Sequence, residues 1–129
     1  MRKFLNKYTR EKGFTIIELA LVLVIVGILA TLSVTAYSRL ALKAKRVEAR
    51  NALKGLAKEE FVFFSEYDRY SDNFNLLSFD PTRYEYYSLS LSASTDDFTG
   101  RAEGNLDTDP DLDIWVVHKE GVPILLQED

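Results

Sequence analysis

Apolar residues dominate the chain from Leu19 to Ser38, a stretch of 20 residues in which no side chain carries a charge. A helix of this length can span the hydrocarbon core of a bilayer, which is about 30 Å thick. The stretch is apolar on all sides as far as Ala30, whereas a helix at the surface of a soluble domain keeps one polar face. The pattern therefore predicts a helix that crosses a membrane.

The helical pattern continues beyond this span. Residues 39–66 contain one glycine and no proline, and their apolar positions recur at the three-, four- or seven-residue steps of a helix face. We therefore expect one helix from Phe14 to about Glu66, with one face of its second half covered by the rest of the protein. The apolar positions of that face are Ala49, Ala52, Leu53, Leu56, Ala57, Phe63 and Phe64.

The remaining sequence predicts a loop and then a sheet. Residues 67–83 are rich in turn-forming residues, and their aromatic side chains are expected to pack on the helix. Residues 87–92 alternate strictly between apolar and polar side chains, which is typical of a strand with one solvent-facing side. Further strands are expected at 98–103, 113–118 and 122–126, with short connections that favour antiparallel neighbours. The predicted fold class is α+β: a long N-terminal helix whose second half packs on an antiparallel sheet of three or four strands.

Charge is distributed unevenly along the chain. Residues 1–13 hold five basic side chains and one acid, a net charge of +4. Because the whole chain carries −4, the part from Phe14 onward carries −8, which disfavours nucleic acid as its primary partner. Six basic residues follow the apolar span, so the positive-inside rule leaves the orientation undecided. They are Arg39, Lys43, Lys45, Arg46, Arg50 and Lys54.

A single carboxylate, Glu18, stands at the start of the apolar span. An ionised side chain in lipid is costly, so a favourable partner is expected. Cleavage between Gly13 and Phe14 would create an amino group one helical turn before Glu18, and we expect this amine, in the same chain or a neighbouring one, to pair with the carboxylate. The alternative is that Glu18 lies at the level of the lipid headgroups without a partner.

The order Gly13-Phe14-Thr15-x-x-Glu18, after a short basic segment and before an apolar helix, resembles the class III leader and processing site of type IV prepilins and pseudopilins. The resemblance implies that a prepilin peptidase in the membrane cuts after Gly13 and methylates the amino group of Phe14. It also implies that Glu18 acts in filament assembly. Gly27 stands where family members often have glycine.

The chain departs from the family in one respect. Many members carry a proline about twenty residues after the cut, whereas this chain has Thr31, Ser33 and Thr35 in that region. A kink or local opening of the helix there would have to arise from Gly27 and the hydroxyl side chains.

The resemblance also implies how the chain is divided and where it acts. Residues 1–13 would be a cleaved leader, 14–38 the transmembrane and assembly half of the helix, and 39–129 a globular head. The expected partners are the membrane, prepilin peptidase, an inner-membrane assembly platform, and copies of the chain or other pilins in a filament. The precursor would reside in the bacterial inner membrane, and the filament would be extracellular or periplasmic.

Three alternatives remain open. Within the family, the chain could be a type II secretion pseudopilin or a minor pilin instead of the main fibre subunit. From a different class, it could be a singly membrane-anchored binding module that does not polymerise. The N-terminal segment could also be an ordinary secretory signal that is cleaved after Ala36, although Glu18 would then have no use.

Four carboxylates alternate in a C-terminal loop, at Asp107, Asp109, Asp111 and Asp113. Calcium prefers such oxygen ligands, and some pseudopilins bind calcium in a C-terminal loop, but the segment lacks the glycine and the terminal glutamate of an EF-hand. A solvated acidic turn is the simpler interpretation, with calcium as the alternative. No other cofactor is indicated. The chain has no cysteine and a single histidine, His118, without a catalytic pattern around it, so we do not expect an enzyme.

Overall fold

A computed structural model describes residues 13–107 and 109–128 of the chain. Apart from Gly13, the predicted leader lies outside these residues. The chain divides into two compact units, one ending at Ser38 and the other, called the head here, beginning at Arg39. Both units contribute to one helix, α1 (Ile16–Tyr67), as the helical pattern predicts.

All side chains of residues 13–38 are exposed. They include a nearly continuous series of Leu, Ile and Val, an apolar surface far larger than soluble monomers leave in water. Among the described residues, α1 is the one helix that is long and apolar enough to cross a membrane. Its first half therefore suits lipid or other apolar helices as surroundings.

The region where many family members have proline is helical throughout in this chain. Its hydroxyl side chains donate hydrogen bonds to carbonyl oxygens of the preceding turn: Thr31 to Ile28 at 2.7 Å and Ser33 to Leu29 at 2.8 Å. Ser38 bonds Val34 in the same way. These bonds satisfy the hydroxyl groups inside the helix, so the polar residues remain compatible with an apolar environment.

The head contains a four-stranded antiparallel sheet in the order β1-β2-β3-β4. The strands are β1 (Ser88–Ala93), β2 (Phe98–Gly104), β3 (Asp113–Val117) and β4 (Ile124–Gln127). The predicted α+β fold is therefore confirmed. The largest difference from the predicted bounds is at β4, which begins two residues later than expected.

The late start of β4 has a local cause. The N–H of Gly121 donates to the His118 carbonyl oxygen at 2.8 Å, and Gly121 has a φ of 71°. This turn uses a left-handed backbone conformation that glycine tolerates. Pro123 follows and has no N–H to give to a strand ladder, so regular pairing starts after it.

Helix α1 packs on the sheet through its second half. Ala49, Leu53, Leu56 and Ala57 are buried in one cluster with inward-facing residues of the sheet, among them Val117. Phe63 is buried as predicted, whereas Phe64 is only half-buried. The small alanine side chains allow the helix backbone to approach the sheet closely, and the larger side chains fill the remaining space.

The loop between α1 and β1 contains two 3-10 turns, Phe74–Leu76 and Pro81–Arg83. The Asn73 and Asp80 side chains cap these turns by accepting hydrogen bonds from backbone N–H groups two residues later. The aromatic rings of the loop stack in series, and Phe79 lies 5.8 Å from Phe74 between ring centroids. The loop thus covers part of α1, as the sequence predicts.

Glu60 is the unexpected member of the buried helix face, because its side chain is fully enclosed. One carboxylate oxygen, Oε2, accepts the Ser71 N–H at 3.0 Å, while Oε1 has no hydrogen-bond partner among the described residues. Burial raises the pKa of Glu60, opposed by the Ser71 hydrogen bond and assisted by the nearby charge of Asp72. The folded head therefore favours the protonated form of this side chain.

The raised pKa of Glu60 predicts a specific pH dependence of stability. The favourable contribution of the neutral side chain is complete below the pKa of the unfolded chain and is lost as the pH rises through the higher pKa of the folded state. We expect Glu60→Gln to increase the free energy of unfolding at neutral pH, with a gain that disappears in acid. Denaturation of the detergent-solubilised protein, followed by the fluorescence of the single tryptophan, measures this difference.

Glu59→Gln is the matched control, because it makes the same change one residue away at a partly exposed position. An equal gain from both variants, or a Glu60→Gln gain that does not depend on pH, would contradict a raised pKa of the buried Glu60.

The close packing around Gly104, at the end of β2, leads to a second prediction about stability. A Cβ atom there would collide with the Tyr86 carbonyl oxygen and lie 2.9 Å from the Tyr87 ring. Backbone cannot yield as a flexible side chain can, so Gly104→Ala should reduce the free energy of unfolding by about 1–3 kcal/mol. Gly55→Ala is the control, because its Cβ would meet only a Phe79 ring atom at an ordinary 3.7 Å within α1. The control should gain about 0.5–1 kcal/mol by the same fluorescence measurement; equal effects would refute the steric explanation.

Candidate functional site

The start of α1 is fixed by a reciprocal pair of hydrogen bonds between Thr15 and Glu18. The Glu18 N–H donates to Thr15 Oγ1 at 3.2 Å, and Glu18 Oε2 accepts from the Thr15 N–H at 2.8 Å. The Thr15 hydroxyl also donates to Oε2 at 2.8 Å. This is a capping box, in which a threonine and a glutamate three residues later satisfy N–H groups that a helix start leaves without partners.

The capping box gives Thr15 a role that the sequence reasoning missed. The signal was present, since Thr-x-x-Glu before an apolar run is a known mark of a helix start. The charge of Glu18 by itself points to an opposite charge and not to this cap. In the structure the carboxylate has polar partners in its own chain, and it lies at the helix end where the macrodipole favours negative charge.

Gly13 and Phe14 precede this cap in non-helical, exposed backbone. Chain neighbours aside, a Cβ atom on Gly13 would meet no atom of the described residues within 4 Å. The fold of the chain therefore gives no reason for a glycine at this position. Exposed, irregular backbone next to a fixed helix start is the kind of segment that a protease can bind in extended form.

Asp113 does not belong to an exposed acidic loop, because its side chain is fully buried at the start of β3. Oδ1 lies 3.0 Å from Arg46 Nε, and Oδ2 accepts hydrogen bonds from the Tyr87 hydroxyl and the Trp115 indole N–H, both at 2.6 Å. Burial, together with the Asp113 bond, raises the pKa of Tyr87. Arg46 also contacts Glu128 at 2.6 Å, so this network ties α1 to the C-terminal part of the head.

The other three predicted calcium ligands lie in exposed backbone turns. Asp107 accepts the Asp109 N–H at 2.8 Å, and Asp109 accepts the Asp111 N–H at 2.8 Å. Asn105 donates to the Asp109 carbonyl oxygen at 2.6 Å. Carboxylates that bond the backbone two residues later form Asx turns, so Asp107 and Asp109 each stabilise a local turn.

The structure thus places the four carboxylates in two different environments. Asp113 is engaged inside the head, and the searched residues outside position 108 and the termini contain no group of three or more His, Cys, Asp or Glu side chains arranged to hold a metal. Calcium binding by Asp107, Asp109, Asp111 and Asp113 stays a prediction.

Comparison with known proteins gives two matches. Residues 8–34 match the family described as the prokaryotic N-terminal methylation motif. This segment includes Gly13, Phe14 and Glu18 as well as most of the apolar half of α1.

The second match extends over most of the chain. It is 39% identical over 97 residues to the type IV major pilin protein PilA of Myxococcus xanthus (strain DK1622). The alignment covers 75% of this chain but 44% of that protein, so the chain spans less than half the length of this curated relative. Together with the methylation motif and the long apolar helix before an antiparallel sheet, the match shows that this chain belongs to the type IV pilin family.

Proposed function

We propose that the chain is the precursor of a structural subunit of a type IV pilus-like filament, and that it assembles through the first half of α1. The observation that carries this proposal is the combination at residues 13–38: an exposed Gly13–Phe14 bond, a capped helix start with Glu18, and an apolar helix with no buried side chain. Family membership supports the same function, and no step of it requires catalysis by this chain.

Processing is the first step of the proposed function. Prepilin peptidase cuts after Gly13 and methylates the amino group of Phe14 while the precursor is in the inner membrane. The exposed backbone before the capping box supports access by a protease, and the matching methylation motif supports the modification. Since the chain itself does not require glycine at position 13, the requirement would lie in the active site of the peptidase.

Assembly is the second step. At an inner-membrane platform, the apolar half of α1 exchanges its contacts with lipid for contacts with the same half of other subunits. Van der Waals packing drives such an exchange, because lipid and helix surfaces are similarly apolar. Glu18 determines which part of a neighbouring subunit it meets. In apolar surroundings its carboxylate interacts strongly with the amino terminus of that subunit, and water screens this interaction little.

The name of the Myxococcus relative favours a major pilin over a pseudopilin or minor pilin, because that relative is a type IV major pilin. A pseudopilin has the same N-terminal design and remains the second candidate within the family. The filament would be extracellular in the first case and periplasmic in the second. A singly anchored module that never polymerises is the alternative outside the family function.

Glu18 offers a test that separates its charge from its role in the capping box. Glu18→Gln removes the charge but keeps an acceptor for the Thr15 N–H, because glutamine also serves in capping boxes. Thr15→Ala removes the cap and keeps the charge. If pairing with a neighbouring amine drives assembly, Glu18→Gln should lower the yield of sheared filaments by roughly tenfold, and Thr15→Ala should lower it much less.

Filaments are counted by electron microscopy, and the intact mass of the membrane-held protein shows that each variant is still processed. Normal filaments from Glu18→Gln together with few from Thr15→Ala would assign Glu18 to the helix start and refute the pairing.

Processing is tested by the mass of the mature protein. We expect loss of residues 1–13 and gain of one methyl group on Phe14. Gly13→Val should leave the precursor uncut while the head folds normally, since an added Cβ at position 13 would meet no described atom within 4 Å apart from its chain neighbours. Gly27→Ala is the control and should be processed, because its added Cβ would meet no described atom within 4 Å apart from the local helix backbone. A mature protein that begins elsewhere, for example after Ala36, would disprove this part of the proposal.

A further inference from the structure

One surface of the head combines an apolar floor with a basic rim. It is a groove of about 400 Å³ between α1 and the sheet, lined by Lys43, Arg46, Val47, Arg50, Trp115 and Leu125, and we call it the basic groove. Its lining lies wholly within the head. The exposed side chain of Val47 adds apolar surface to it.

Two cations of the basic groove are available to a partner. Arg46 is engaged with Asp113 and Glu128, whereas Lys43 and Arg50 are exposed and form no ion pair within the described part of the chain. The Arg50 guanidinium lies 5.8 Å from the centroid of the Trp115 ring, so it is held over the floor. A partner that fits must therefore bring negative charge and an apolar group together.

Such a combination exists elsewhere on the same head. Residues 109–112, which we call the acidic loop, read Asp-Pro-Asp-Leu and are all exposed. The Asx turn that ends at Asp111 gives the loop a defined shape, and the proline restricts it further. Leu112 is 37% exposed beside Asp111, so a carboxylate and an apolar side chain stand next to each other.

We propose that the basic groove of one copy receives the acidic loop of a second copy. Asp111 would lie between Lys43 and Arg50, and Leu112 would contact Val47. The acidic loop does not line the groove of its own copy, so the contact joins two different patches on two molecules. In such a head-to-tail contact, each copy still has one free patch after it binds a partner. The contact can therefore repeat from copy to copy and produce a helical array. The inference rests on the proposed filament function and specifies a contact between heads that the N-terminal helices alone do not define.

The absence of cysteine in the chain makes a direct test possible. Full-length Val47→Cys and Leu112→Cys are co-expressed, so that each copy carries one cysteine, and sheared filaments are oxidised and analysed by mass spectrometry. We expect a disulfide between positions 47 and 112, which can form only between copies. Filaments of either variant alone are the controls, and they should give no 47–47 or 112–112 disulfide.

Charge exchange gives the second measurement. Arg50→Glu and Asp111→Arg should each lower filament yield by roughly fivefold, and the two changes in one chain should restore it, because the rim charge and the loop charge are then exchanged. Lys54→Glu is the matched control, since it reverses an exposed charge on the same helix outside the groove. The emission of Trp115 verifies that each head is folded.

The outcomes separate this inference from the proposed function. Wild-type filaments without a 47–112 disulfide, or without an effect of Arg50→Glu, would overturn the groove contact and leave the filament function intact. A 47–112 disulfide in membranes of cells that make no filaments would support the contact and contradict the filament. If Arg50→Glu weakened retention on vesicles with anionic lipid and no cross-link formed, the groove would face lipid and the proposal would be wrong.

Discussion

A helix in an apolar environment must satisfy its own backbone, because neither lipid nor an apolar neighbour supplies hydrogen-bond partners. Interior residues of α1 meet this condition through the regular pattern, and hydroxyl side chains such as Thr31 meet it by bonding the preceding turn. The first turn cannot meet it alone, since its N–H groups have no carbonyl before them. The Thr15–Glu18 capping box supplies acceptors at this point, so a polar pair is a structural necessity at the start of the most apolar part of the chain.

The head meets a different constraint with the same helix. Here α1 must bury one face, and Ala49 and Leu53 allow close contact with the sheet while larger groups fill the spaces. Two acidic side chains, Asp113 and Glu60, are also buried, and their surroundings differ. Asp113 is compensated inside the head by the charge of Arg46 and by two neutral hydrogen-bond donors. Glu60 has no ion pair among the described residues, and burial raises its pKa.

Features that depend on local apolar spacing could be predicted from the sequence, whereas the burial of these two acids could not. Periodicity predicts the helix, its covered face and the four strands, because apolar spacing reflects burial directly. It fails at Glu60 and Phe64, where the loop between α1 and β1 decides which side chain is covered and no local pattern records that choice. The alternation of the four aspartates has the same limit: it shows equal spacing along the chain, but the start of β3 turns the Asp113 carboxylate into the core.

The residues of the candidate site lie within six positions, so their interactions are local and the sequence can indicate them. The charge of Glu18 alone does not indicate its part in the capping box, which depends on the spacing from Thr15. Glu18 can cap α1 and also pair with a neighbouring amine, and this has a consequence for the order of cleavage and assembly. In the uncut chain, Phe14 contributes a neutral amide, and among the described residues the partners of Glu18 are the cap and the helix dipole. On the proposed function, cleavage places a cation one residue before the capped Thr15 without disturbing the cap, so an uncut chain would have the folded helix but not the charge that a neighbour's Glu18 requires. Processing would then permit assembly by creating the positive charge that the neighbouring Glu18 binds, with no change of fold.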